Sequence, residues 1–418
     1  MPVRRRSNAH RRAPGARDPV GNSSGQRRSE HVVVGLVLRP QRLRLVANAA
    51  LLIVLSLVCG FFAAGINGWY DEQDFHCFWV AGRIVASGGD PYDAQQFVPA
   101  ILTIPPSEAR ALNRCGQRLS YPPWAAIALA PFGALPLPVA ATLWASLAVM
   151  ATVLGINWTW QLAGQRRIPW LLVAGLVVGT EPFVRNVLEG QFATFAFALT
   201  AGAALSMRSG RDGAGGIAAG FLSVKPQTAV GFGTAVLGLA IFRRRWRFVG
   251  GAAATVLALA GLSQLLRPGW IFEFISGATV LSGSIADRAT IWNLTGSWPL
   301  AVVMVALLLV AVAVLIRRRR ADDTAILGLA VSFSLVVAPY AWDHDYVVLA
   351  IPWSLTIAYA SQLRPLLRRV LLYSTIIVAM PLLWILAAVV VPLRGGESVF
   401  VTLPVLTALL LALAIRWR

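Results

Sequence analysis

Residues 45–66 carry no charged side chain over 22 positions, and eleven further apolar runs follow. They lie at about 138–160, 169–184, 192–207, 213–224, 228–242, 248–266, 298–316, 324–339, 346–361, 368–392 and 399–416. A helix that crosses a bilayer needs ~20 apolar residues. In hydrocarbon its backbone groups must bond within the segment. The pattern therefore predicts an all-α polytopic membrane protein with about twelve transmembrane helices. A half-length stretch, 123–136, is interrupted by Pro131 and Pro136 and followed by Pro138, which predicts a segment that dips into the membrane. Composition agrees: 57% of residues are hydrophobic and 13% charged, where a soluble chain runs nearer a quarter charged. A soluble enzyme and a disordered chain are both excluded. Only residues 1–44 read as a disordered tail, with 11 arginines among Gly, Ser and Pro. That basic stretch is too long for a cleaved leader, and more spans follow it. The membrane domain is expected over 45–418.

The formal charge of +19 becomes informative once it is sorted by side. With the N-terminus in the cytoplasm and spans alternating, 28 of the 36 arginines fall inside, as the positive-inside rule requires. The excess charge is thus an orientation signal, and a nucleic-acid partner is not expected. Of the 18 acidic residues, 13 fall on the outer side. Orientation does not demand that, so the chemistry is expected on the outer face.

The longest outer loop, 67–121, contains Asp74, then Phe75, Phe78, Trp79, Gly82 and Val85 at helical spacing. This predicts an interfacial amphipathic helix ended by Gly88, Gly89 and Pro91. The loop closes on Tyr121-Pro122-Pro123-Trp124. A second outer feature runs from Glu181 to Gln191. The third is Ser223-Val-Lys-Pro-Gln227. The two arms flanking it, 12 to 15 residues each, are too short at ~1.5 Å per residue to cross a ~30 Å core. Lys225, the only lysine in the chain, is therefore expected at the bottom of an outward cavity or near the interface. It either serves the site or snorkels to the headgroups. Loop 267–297 carries Glu273, Asp287 and Arg288. The last outer feature is Ala338-Pro-Tyr-Ala-Trp-Asp-His-Asp-Tyr346.

Asp343-His344-Asp345 has D-x-D spacing, a weak metal signal; His344 is alternatively a hydrogen-bonded interface residue, or a proton acceptor or phosphate partner. Cys77 and Cys115 share the long loop, either bridged or as separate thiols. No CxxC, HExxH, P-loop, GxSxG or dinucleotide fingerprint is present, and no internal repeat is evident.

In combination and order these pieces resemble glycosyltransferase family 87. They are Asp74-Phe-His-Cys-Phe-Trp79 followed by Gly88-Gly-Asp-Pro-Tyr92, Tyr121-Pro-Pro123 with Pro131 and Pro136, Gly190-Gln191, Lys225-Pro226 and Pro339-Tyr-Ala-Trp-Asp-His344. The resemblance runs from about 45 to 360. It implies a GT-C type fold and an enzyme like the mycobacterial polyprenyl-phosphate-mannose-dependent α-1,2-mannosyltransferases. Such an enzyme moves a hexose, here mannose, from a polyprenyl-phosphate donor to a glycolipid or glycan acceptor. It works at the outer face of the plasma membrane, in cell-envelope biogenesis, with inversion at the anomeric carbon. It matches the family's loop aspartate to Asp74, with Asp71 three residues away, and its late histidine to His344.

The residues themselves suit such chemistry. A lipid-linked donor requires apolar grooves, a cation for the leaving phosphate and a base for the acceptor hydroxyl. Asp74 and His344 are expected to work as a pair, either Asp74 as the base or Asp74 orienting His344. Lys225 and Arg288 are assigned to the phosphate. Gln191, Tyr121, Trp342 and Asp343 are assigned to the sugar or the phosphate. No cofactor is required, and a divalent metal is optional. The rival from another class is a membrane transporter of a polar or lipid-linked solute, which would place its binding groups near the midplane between repeats. A lipid-modifying membrane enzyme without sugar transfer is the second rival.

Overall fold

The structure, a computed structural model, describes residues 53–54, 56–58, 74–103, 115–165, 167–276, 289–316, 321–338, 340–394 and 396–418. The chain divides into Met1–Ala47 and Asn48–Arg418, and every described residue lies in the second unit. The expected tail, most of the first expected span, Asp71 and Arg288 lie outside the described residues.

Among the described residues the fold is all-helical, without strands. Among these residues, four helices are long and apolar enough to cross a membrane: Leu137–Ala163, Trp246–Leu266, Pro365–Leu393 and Glu397–Trp417. A fifth crossing is possible in length if Trp170–Val178 and Glu181–Glu189, bent by 61° against each other, count as one. Shorter apolar helices include Pro123–Gly133, Gly231–Phe242, Trp298–Val314 and Asp323–Val337. Where the expected runs are described they are helical, and several are broken. The breaks sit where the sequence places proline or glycine. Pro226 opens the Pro226–Phe242 helix, and Pro381 restarts a helix at Met380. Proline is accepted in a first turn, where its missing N–H costs nothing, and stops a helix elsewhere.

Leu257, Leu265, Val302 and Val310 are all more than half exposed. In water such a surface would aggregate, but toward lipid it is the expected outer coat. Two apolar clusters lie inside it. The larger gathers Ala193–Arg208, Asp323–Val337, Ala350–Ala360 and Thr402–Trp417 around Trp353 and Phe197. The smaller centres on the helix Asp74–Ala86.

That helix differs from expectation. Nine of its 13 residues are buried, from Phe75 to Gly82 plus Ile84, so it is embedded in protein and has no broad face at the interface. The cause is close packing on Pro123–Gly133. A Cβ on Gly82 would lie 2.2 Å from the Leu129 carbonyl oxygen, and one on Gly133 would lie 1.9 Å from the Arg83 nitrogen. Glycine at both positions lets the backbones touch, as small residues do between membrane helices. A Cys77–Cys115 disulfide, Cα to Cα 5.4 Å, ties the far end of the loop back to this helix. Bridging is thus the outcome of the two cysteine alternatives. Asp74 begins the helix, which fixes its carboxylate at the edge of the small cluster.

Candidate functional site

Asp74 is half-buried, and its Oδ2 accepts a hydrogen bond from Nε2 of Gln191. The Gln191 amide oxygen in turn accepts from the Tyr121 hydroxyl at 3.1 Å. Tyr92 donates to the Tyr121 carbonyl at 2.6 Å. Phe78, Tyr121, Trp144 and Phe192 stack around this line at centroid separations of 4.9–6.2 Å. Burial, then the Asp345 carboxylate, Tyr340, Asp74 and Glu189, push the Tyr121 pKa well above the ordinary value. Its hydroxyl therefore stays a donor.

His344 sits in a second group. The segment Asp343–Leu349 is a tight helical turn, and its entry is closed by the Trp342 N–H donating to Asp345 Oδ2 at 3.1 Å. Asp343 is fully buried and paired with Arg185. Its N–H donates to Glu397 Oε2 at 3.1 Å. Asp345, equally buried, pairs with Lys225. The two aspartates of the D-x-D spacing thus face different cations. Among the described residues no three His, Cys, Asp or Glu side chains are arranged to hold a metal ion. His344 Nδ1 lies 3.2 Å from Glu189 Oε2. Burial and the Lys225 ammonium lower the His344 pKa, whereas the Asp345 and Glu189 carboxylates raise it by more, leaving it above the ordinary value. The charged form of the imidazole is accordingly favoured relative to a free histidine. Burial raises the Asp343 carboxyl despite Arg185.

Three consecutive residues join the two groups. Glu189 ends the helix Glu181–Glu189 and holds His344, Gly190 caps it at φ 66°, and Gln191 holds Asp74. The left-handed turn favours glycine. A Cβ there would also lie 2.7 Å from Phe75 Cβ. Trp144 donates to the Gly190 carbonyl at 2.7 Å. Asp74 and His344 are therefore each fixed by a different end of one tripeptide. The carboxylate beside His344 Nδ1 is that of Glu189.

Of the expected site residues, Asp74, Gln191 and Tyr121 form the first group, and His344, Asp343 and Trp342 the second. Lys225 stands at the break between the helices Asp212–Phe221 and Pro226–Phe242. It is only 2% exposed, so it neither snorkels nor opens into a wide cavity. Sequence reasoning missed the roles of Arg185, Glu189, Asp345 and Glu397. One signal was present. Arg185 and Glu189 stand at i,i+4 spacing and pair at 2.8 Å, in a chain with few charges.

The model of glycosyltransferase family 87 matches residues 119–339, just over half of the chain. The chain belongs to glycosyltransferase family 87. It is a membrane glycosyltransferase, which uses a sugar donor and an acceptor. The matched region takes in Tyr121, Arg185, Glu189, Gln191 and Lys225, whereas Asp74 precedes it and His344 follows it. No curated protein and no solved structure matches the chain.

Proposed function

We propose that this family 87 enzyme moves a hexose, mannose by the resemblance, from a polyprenyl-phosphate donor to a glycolipid or glycan acceptor. The reaction takes place at the outer face of the plasma membrane, with inversion. The observation that carries the reading is the Glu189-Gly190-Gln191 tripeptide, which holds a carboxylate and a histidine biased toward its cation at the two ends of one turn. Inverting transfer calls for that division of labour.

Asp74 takes the proton of the acceptor hydroxyl. That oxygen bonds to the anomeric carbon while the bond from this carbon to the phosphate oxygen breaks. The electron pair leaves on the phosphate, whose charge is met by His344 with Lys225 behind it. Arg288, outside the described residues, is kept as a further phosphate contact. Tyr121, Gln191 and Trp342 line the sugar. Asp343 serves this site indirectly, by anchoring Arg185. A lipid-linked substrate is also supported by an apolar pocket of about 280 Å³ lined by Leu57, Phe132, Leu135, Leu143 and Leu147. Phe132 packs on Trp144 at 5.4 Å, which connects the pocket to the aromatic ring around Tyr121.

The test uses membranes bearing Asp74→Asn and a radiolabelled polyprenyl-phosphate sugar. Transfer should fall by roughly 10²–10⁴-fold, the usual contribution of a general base. Transfer at the wild-type rate would end the assignment. Mass spectrometry of envelope glycolipids from deletion and wild-type strains identifies the sugar and acceptor. A deletion strain with unchanged glycolipids but lost solute uptake would instead favour a transporter.

A further inference from the structure

The Glu189 carboxylate divides its two oxygens. Oε1 accepts from Arg185 at 2.8 Å, and Oε2 faces His344 Nδ1 at 3.2 Å. On the other side of the imidazole, Nε2 is buried and makes no hydrogen bond among the described residues. Its acidic neighbour there, Asp345 Oδ1, is 3.8 Å away. A buried ring nitrogen without a hydrogen bond costs free energy. Such a group, in a site that must receive a phosphate, is placed for the substrate. A carboxylate can only accept, so Glu189 compels Nδ1 to carry a proton. Nothing else in contact with Nδ1 does this as directly, since Asp343 Oδ1 stands at 3.8 Å and already accepts the His344 N–H at 2.6 Å.

Resting on the proposed function above, we propose that Glu189 is a positioning residue: it holds His344 by Nδ1–H so that Nε2 is presented to the donor phosphate. Gly190 and Gln191 carry the same turn on to Asp74. One short helix end therefore sets the orientation of both groups that meet the substrate. The charged groups facing His344 come from four elements: Glu189 and Arg185 from the helix Glu181–Glu189, Lys225 from its turn, Asp343 and Asp345 from its own turn, and Glu397 from the segment Glu397–Val401.

Glu189→Gln is the discriminating variant, because it keeps size and removes the obligatory acceptor. With the amide oxygen turned to Arg185, its NH₂ faces Nδ1, and the neutral imidazole must switch to the Nε2–H tautomer. The protein would be isotope-labelled at histidine nitrogen and placed in lipid nanodiscs. The His344 signal would be assigned by its loss in His344→Gln. Wild type should titrate through an Nδ1–H neutral form. Glu189→Gln should show Nε2–H and a midpoint lower by about one pH unit or more, the equivalent of a tenfold change in protonation equilibrium. Since the charged imidazole is the active form, the alkaline limb of transfer should move down by the same amount. The KM for a polyprenyl-phosphate sugar should rise about tenfold. Glu189→Asp, which keeps the carboxylate, should retain the Nδ1–H form.

A folded Glu189→Gln protein with the wild-type tautomer and midpoint would overturn the assignment. If that variant does not fold, the wild-type tautomer decides: Nδ1–H supports the role and Nε2–H removes it. The spectra need no substrate. A wild type that transfers no sugar would therefore sink the proposed function and leave the Glu189 assignment to be judged by the spectra alone.

Discussion

Two charged clusters in this molecule have similar membership and opposite settings. One joins Lys225, Asp345, His344, Glu189, Arg185, Asp343 and Glu397. Its Asp343 and Asp345 side chains are 0% exposed and Lys225 is 2% exposed. The other joins Arg243 and Arg245 to Asp212 and Asp323, with Arg418 on Asp322. There the side chains are 19–49% exposed. Exposed pairs gain little, because water and salt screen them. Their arginines fall where the orientation expected from the sequence puts them inside. Burying charges is costly, and an apolar replacement is often no less stable. A chain that keeps Lys225, Asp343, His344, Asp345 and Glu397 buried therefore keeps them for chemistry. The difference teaches that the net charge of +19 is the wrong quantity to read. Setting decides which charges matter.

The largest effect is expected at Lys225. Lys225→Met leaves Asp345 buried and uncompensated, and should cost about 3–5 kcal/mol of stability, read as a lowered melting temperature in detergent. Adding Asp345→Leu should restore most of that stability without restoring sugar transfer. A double variant that regained transfer would mean that the buried pair is only structural. Opening the disulfide with Cys115→Ser should cost about 3–4 kcal/mol through the loop it closes, a separation of 38 residues. Its effect belongs to the Asp74 side of the site, so denaturation should begin there in hydrogen exchange. Gly190→Ala places a side chain at positive φ beside Phe75 and should cost about 1–3 kcal/mol. It should lower transfer more than its stability loss explains, because both ends of the tripeptide move. Asp323→Asn, in the exposed cluster, should change stability by less than about 1 kcal/mol and leave transfer unchanged. A larger effect there would erase the contrast.

How far the site was legible follows from sequence distance. Local rules reach a few residues, so they located the break at Lys225-Pro226, the helix started by Asp74 and the punctuation at Gly190. They also singled out His344 as the histidine of the last outer feature. The helix Asp74–Ala86 was found, yet its burial was not, since that depends on Gly82 meeting Leu129. D-x-D spacing suggested one ligand set, whereas its two carboxylates serve Arg185 and Lys225 separately. Arg185 and Asp343 stand 158 residues apart, and no periodicity links them.

By itself the sequence determined that this chain is helical and membrane-embedded, because long apolar runs have no other stable solution in lipid. It also determined where the helices break, because proline and glycine act on their own backbone. The pairing of buried charges, the cysteine bridge and the placing of Glu189 beside His344 were decided only by the tertiary structure. Those depend on which helices pack together, and a buried charge takes whichever partner packing brings within hydrogen-bond reach.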